Sequence, residues 1–402
     1  MRIAVYHNLS SGGGKRALHE MARRLNDEHE IDVYTLSCAE HDFCDLRPHC
    51  GQHIVFPFSP LPFVRRPFGR LNQGIRALDL LRLQALQKRI ASQIDAAGYD
   101  VVFVHHCRYG QAPSLLQFLS TPSVYYCQEP PRHIYEPRIP RPYAQYSAWQ
   151  RLGNCFDPFP SLYRKILKKL DRSSAQAASL VLVNSFHSRE SLYRAYGLSA
   201  RVCYPGVDTQ LFRSSSPSKG DFVVSVGAIR PNKGFDFLLH SLALIDSARR
   251  LPLVIVSNYT DERERGFLRE LAVRLGVQVD FRTQVSDEEL VRLYSQAQLT
   301  LYAPVMEPFG FVPIESMACG TPVVSVAEGG VRETVRHGET GLLVDRDPQL
   351  FADALSELWS KPLLAEKLGR RCAAYVQECW NWDDSVAHLE TYLTATAKWR
   401  NR

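Results

Sequence analysis

The 402-residue chain contains no apolar run near the roughly 18 residues that a membrane-spanning helix needs. Its opening stretch "MRIAVYHN" is too short in apolar residues and lacks a cleavage site for a secretory leader, so it reads as a buried strand and the expected location is the cytoplasm. None of the ten cysteines forms a C-x-x-C pair, which predicts reduced, mostly buried thiols. Cys38, His41, Cys44, His49, Cys50 and His53 crowd together, but their spacings fit no standard zinc finger. A variable loop without metal is the expectation there. The triphosphate loop G-x-x-x-x-G-K-[ST] is also missing: Leu9 stands where its first glycine belongs and Arg16 where its Ser or Thr belongs. There is no short-period repeat and no low-complexity tract.

What is present is a soluble composition, 45% hydrophobic and 22% charged, on a chain long enough for two cores. The formal net charge of +6 is unevenly spread. Leu61 to Ile90 holds seven basic residues against the single acid Asp79, and Arg132 to Arg172 holds nine against three. Both segments interleave these charges with Phe, Tyr, Trp and Leu. Such a mixture suits an anionic membrane surface, with a solvated helix face as the plainer alternative. Nucleic acid, the other polyanion, is not expected as a partner.

Short Val/Ile-rich runs alternate with helical periodicity nearly throughout. "RIAVY", "IDVYTL", "DVVFVHH", "SVYYC" and "LVLVNS" predict buried parallel strands in the first half. "FVVSVGAI", "PLVIVSN", "VQVDFRT", "LTLYAP" and "TPVVSV" do so in the second. The class is therefore α/β, with parallel sheets covered on both faces. The Pro/Gly/Ser-rich stretch from Tyr204 to Asp221 marks the break between two halves. Two stretches fall outside the alternation and read as insertions, at about 57–90 and 129–172.

"NLSSGGGKRAL" follows the first strand. Gly12, Gly13 and Gly14 with Ala17 satisfy the dinucleotide pattern G-x-G-x-x-[GA], but no acid stands clearly at the end of the second strand. What remains is a helix start stripped of side chains, its N–H groups available to an anion.

The strongest signal is "EPFGFVPIESMACGTPVV", Glu307 to Val324. "LTLYAP" ends a strand, "EPFGF" makes a tight loop, and Pro313 suits the first turn of a helix that Gly320 ends. Backbone N–H groups of Phe309, Gly310, Phe311 and Val312 then lie where open α/β sheets bind ligands. Glu307 and Glu315, eight residues apart, frame the loop. A carboxylate beside a phosphate-binding helix start repels phosphate, so both are expected to face hydroxyls, as a sugar nucleotide offers.

This string resembles that of the retaining glycosyltransferases of the GT-B fold in glycosyltransferase family 4. "SGGGKRALHEMARRL", "YDVVFVHHC", "YPGVDTQLF", "VGAIRPNKGFDFLLHSL" and "EGGVRETVRHGETGLLV" resemble further family segments in the same order, covering most of the chain except the two insertions. The resemblance implies two Rossmann-like domains facing across a cleft: an acceptor-binding domain at 1–205, a nucleotide-sugar domain at 206–378, and a C-terminal helix at 379–402 crossing back to the first domain, anchored by Trp380 and Trp382. It assigns Glu315 to ribose hydroxyls, Glu307 to the transferred sugar, and His105 to the sugar or diphosphate. Lys233 and an arginine stabilise the leaving phosphate without a metal or other cofactor. Where the family often has that arginine, this chain has Ala228, and Arg230 is the expected substitute. His106 and Glu129 are the nearest candidates for an additional base.

The function expected is transfer of a sugar from a nucleotide-sugar donor to a lipid-linked or cell-envelope glycan, with peripheral contact to anionic membrane. The alternatives are a nucleotide-sugar epimerase of the same fold and a non-catalytic glycan- or nucleotide-binding protein.

Overall fold

The computed structural model describes residues 1–65, 71–144, 157–215 and 218–401. Arg66, Arg70 and Arg151 of the basic segments lie outside these residues. Two compact units result. The first comprises Met1–Arg138, Gln145–Tyr204 and Asp383–Arg402, the second Ile139–Ala144 and Pro205–Trp382. The divisions at Tyr204/Pro205 and Trp382/Asp383 differ slightly from the sequence-drawn boundaries, so Trp380 and Trp382 count with the second unit. Segment 139–144, read from sequence as part of a first-domain insertion, also belongs to the second unit.

In the first unit, strands β1 (Arg2–Asn8), β2 (Glu30–Leu36), β3 (Gln52–Phe56), β4 (Val101–Cys107), β5 (Ser123–Cys127), β6 (Leu180–Val183) and β7 (Arg201–Val202) form one sheet, ordered β3-β2-β1-β4-β5-β6-β7. All its pairings are parallel. Parallel strands covered on both faces read as continuous apolar runs, which is why β1, β4 and β5 were legible. Edge strand β3 was not: its residues are half-exposed and include polar Gln52 and His53. The Cys38–His53 stretch is thus not all loop, since His53 lies in β3. Among the described residues no group of three or more His, Cys, Asp or Glu is placed to hold a metal. None of the nine described cysteines forms a disulfide.

The second unit repeats the plan with β8 (Val223–Val226), β9 (Leu253–Ser257), β10 (Val279–Thr283), β11 (Thr300–Tyr302), β12 (Val323–Val326) and β13 (Gly341–Val344), ordered β10-β9-β8-β11-β12-β13. Every pairing is again parallel. Helix starts are fixed by Asp261, Ser286 and Asp347, whose side chains accept first-turn N–H groups. The Trp382–Ala397 helix supplies Asp383–Arg402 to the first unit, where Asp383 accepts from Arg24 Nε at 2.7 Å.

Asp171 is the polar hub of the first unit. It accepts the Ala112 N–H at 2.7 Å and the Tyr196 hydroxyl at 2.5 Å, and burial pushes its carboxyl up to about 6. Asp171→Ala leaves both donors without their acceptor, so it is expected to cost about 1–3 kcal/mol of stability. Asp171→Asn keeps an acceptor oxygen and is expected to cost less. Thermal unfolding of the two variants beside the wild type checks the order.

Candidate active site

The second unit gathers its candidate residues at the carboxyl ends of its strands. After β8 the chain turns through Pro231–Lys233, and after β11 it runs into the Met306–Gly310 loop. Lys233 Nζ donates to both oxygens of Glu307, each at 2.9 Å. The side chains are 21% and 16% exposed, so the pair is partly shielded yet reachable. Val305 N–H donates to the Asn232 carbonyl at 2.9 Å, joining the two loops through the backbone. Arg346 adds a brace, binding Glu328 at 2.7 and 2.8 Å and the carbonyls of Ala303 and Pro304 at 3.0 and 2.8 Å.

Gly310 adopts φ +97° and caps the Phe311–Ala318 helix, a conformation that L side chains resist. Behind the loop lies Gly330, whose N–H donates to the Glu307 carbonyl at 2.8 Å. A Cβ at Gly330 would stand 2.2 Å from the Pro308 carbonyl oxygen, so the close approach depends on glycine. Phe309 is buried and packs edge-on against Phe311 at 5.2 Å and Trp380 at 5.4 Å. The eight-residue helix starts four residues after Glu307, and the first backbone N–H groups of any helix have no acceptor within it.

Glu315, on that helix, is 8% exposed and accepts from the Tyr294 hydroxyl at 3.1 Å. Arg230 is exposed on the Lys233 turn, its guanidinium 4.1 Å from the centre of the Tyr259 ring. Tyr259, Tyr294, Gly330 and Arg346 escaped the sequence reading. Of these, Gly330 alone left a trace, in "EGGVRETV".

In the first unit, Gly12 caps the Gly13–Leu25 helix with φ +140°. Gly14 packs so closely that a Cβ would meet the Gln128 amide at 2.8 Å. Beside this helix the β1–β4 register slips between Tyr6 and Asn8, so that His105 and His106 together oppose His7. His105 is fully buried, stacked on Tyr126 at 5.3 Å and edge-on to Phe103 at 4.7 Å, and neither ring nitrogen has a hydrogen-bond partner. Burial holds His7 and His105 well below the usual imidazole range and brings His106 down to about 4. Lys15, which sequence reading passed over, is 1% exposed, and burial lowers its ammonium to about 8. Nothing in the string "GGGKRAL" predicts that its lysine turns inward. Glu129 lies 3.8 Å from Arg132, an ion pair rather than a free base.

The described residues of the basic segments divide. Arg141 is not a surface charge but a buried ion-pair partner of Asp236 and Glu264. Arg82 pairs with Asp79 and Arg132 with Glu136. Arg164, Lys165, Lys168 and Lys169 stay exposed on the Phe159–Ala177 helix.

Comparison with known proteins places these features in a wider set. The glycosyl transferases group 1 family matches residues 206–375 and the Glycosyltransferase Family 4 description matches 11–211. D-inositol 3-phosphate glycosyltransferase of Acidothermus cellulolyticus is 34% identical over 60% of this chain and 58% of its own length. Across four relatives of that name the chain spans about half of the relative's length, 50–58%. The protein of the same name from Thermobispora bispora is 27% identical over 96% of this chain and 90% of its own. Among solved structures, sucrose-phosphate synthase of Thermosynechococcus elongatus superposes with a TM-score of 0.72 at 21% identity, covering 98% of both chains. HepE of Anabaena, solved with UDP and glucose, gives 0.66 at 21% identity over 98% of this chain and 100% of that one.

A group whose folded pKa lies below its unfolded value stabilises above the unfolded value, and that stability is lost as pH falls. His7, His105 and His106 are such groups. The contribution of these histidines to thermal stability is therefore expected to be level from pH 8 to 7 and to fall below about 6.5, the ordinary imidazole value. His105→Phe, which removes one of the three, is expected to flatten that decline. Asp171 acts oppositely, its contribution falling as pH rises from about 4 to 6. Melting curves across pH for both proteins check the sign.

Proposed function

Because this chain belongs to glycosyltransferase family 4 and has the GT-B fold, we propose that it transfers a sugar from a nucleotide-sugar donor, with retention of configuration, to a glycan acceptor. The observation that carries the reading is the Lys233–Glu307 pair beside the start of the Phe311–Ala318 helix. Breaking the bond between the anomeric carbon and a diphosphate leaves negative charge on the phosphate. Lys233, Arg230 and the N–H groups of Phe309 to Val312 meet that charge, and the task as assigned needs no metal. Glu307, repelled by phosphate, takes the hydroxyls of the transferred sugar, and the buried Glu315 takes those of the ribose. In this reading the first unit binds the acceptor, and its neutral His105 serves as a hydrogen-bonding group that carries no charge at neutral pH. The leaving phosphate itself removes the acceptor's proton, so no separate base is assigned.

The acceptor proposed is a lipid-linked or cell-envelope glycan met at an anionic membrane. Two observations support this. Phe63, Leu71, Leu78, Leu81 and Leu162 are each about half exposed in the first unit. They are interspersed with exposed Arg65, Arg82, Arg164 and Lys165 on the Asn72–Ala97 and Phe159–Ala177 helices and the segment before them. No described helix is long and apolar enough to cross a membrane, so the contact proposed is peripheral. The names of the relatives also make inositol phosphate an acceptor to test.

A thermal-shift panel of UDP-, GDP- and ADP-sugars tests the donor half. One of them is expected to raise Tm through binding to the native state. Lys233→Met is expected to lower turnover by about 10²–10³-fold, and Glu307→Gln to bind the nucleotide yet lose transfer. No shift with any nucleotide sugar defeats the reading, and turnover without acceptor points to the epimerase instead. For the acceptor half, flotation with vesicles is expected to recover the protein with anionic but not neutral lipid. Leu78→Ser/Leu81→Ser is expected to abolish recovery, and indifference to lipid charge refutes the membrane reading.

A further inference from the structure

Segment Ile139–Ala144, "IPRPYA", counts with the second unit, and its one charged residue is held on every side. Arg141 Nε donates to the two oxygens of Glu264 at 3.1 and 3.0 Å, and Nη2 to Glu264 Oε1 at 2.9 Å. Nη1 and Nη2 donate to the two oxygens of Asp236, each at 3.0 Å. Nη2 reaches the Pro231 carbonyl at 3.2 Å, and the guanidinium lies 5.4 Å from the centre of the Phe267 ring. Tyr143 donates its hydroxyl to Glu264 as well. The side chains of Arg141 and Glu264 are 6% and 1% exposed.

The partners matter for where they lie. Pro231 opens the turn that presents Lys233, and Asp236 stands in the first turn of the helix that follows it. Glu264 stands in the first turn of the Glu262–Leu275 helix, just past Tyr259, the ring on which Arg230 rests. One planar fork thus joins the loop carrying both cations to the loop carrying the ring beneath one of them. It also compensates two carboxylates next to cations that the proposed function directs at a diphosphate. Lysine cannot reproduce this, because a point charge lacks the donor fork.

We propose that Arg141 is a positioning residue of the diphosphate-binding site, which sets the geometry of the Arg230–Lys233 turn and keeps Asp236 and Glu264 from opposing an incoming phosphate. The proposal rests on the donor reading above. It follows that part of the donor site is supplied by a segment far away in sequence, in the stretch that composition alone marks as a surface insertion.

The test uses full-length wild type, Arg141→Lys, Arg141→Met and the triple variant Arg141→Met/Asp236→Asn/Glu264→Gln. Each is titrated calorimetrically with UDP, GDP and ADP in turn, and Tm is measured in parallel. The wild type is expected to bind one diphosphate, and Arg141→Met to bind it about tenfold or more weakly. Arg141→Lys is expected to fall between the two. The triple variant, which removes the uncompensated charge without restoring the fork, is expected to bind at least about threefold more tightly than Arg141→Met. Equal affinities in wild type and Arg141→Met, whatever their Tm, overturn the proposal and leave a purely structural brace. If Arg141→Met does not fold, wild-type affinity in Arg141→Lys overturns it in the same way. A wild type that binds none of the three overturns the donor reading itself, and Arg141's role with it.

Discussion

An ammonium held between both oxygens of one carboxylate is the contact around which the second unit's site is organised. At 2.9 Å and an effective dielectric near 20, the gross attraction is about 6 kcal/mol. Most of that is offset by the hydration both groups give up. The pair is therefore better understood as a device for placement than as a source of stability. It keeps a cation and an anion within reach of each other, and the proposed function turns each toward a different part of a sugar nucleotide. Everything nearby holds that placement: the Asn232–Val305 backbone bond, the Gly330 contact and the Arg346 brace.

Buried ionisable groups are handled in two ways. Some ions are met by opposite ions, as Arg141 is by Asp236 and Glu264, Arg346 by Glu328 and, in the first unit, Glu20 by Arg24. Others are left uncharged: burial strips the hydration that an imidazolium would need, so His7 and His105 in the first unit stay neutral. A neutral imidazole keeps one donor and one acceptor nitrogen.

How much could be read beforehand followed from how local each signal was. Long buried strands such as β1 and β4 announced themselves as apolar runs, while β13, only Gly341–Val344, and β7, only two residues long, did not. Glu307 and Glu315 were legible because loop, helix start and both carboxylates fall within one short string. Lys233 was named through the resemblance of "VGAIRPNKGFDFLLHSL" to a family segment, not through spacing or composition. Arg141 was misread as surface charge because its partner Glu264 is 123 residues away, and composition cannot see a contact of that span. Lys15 was missed for a related reason: a lysine next to three glycines looks solvated until the packing of the whole unit turns it inward.

The Trp382–Ala397 helix comes after the second unit in the chain yet packs in the first, where Arg24 grips Asp383 and Thr394 touches Met1. The second unit is in that sense a guest, inserted between the host's body and its closing helix. On the ribosome the order of synthesis and the order of completion then part company. The guest has its whole sequence available while the host, though begun earlier, still waits for its final piece. During that interval the surface awaiting the helix stands uncovered and open to non-native association.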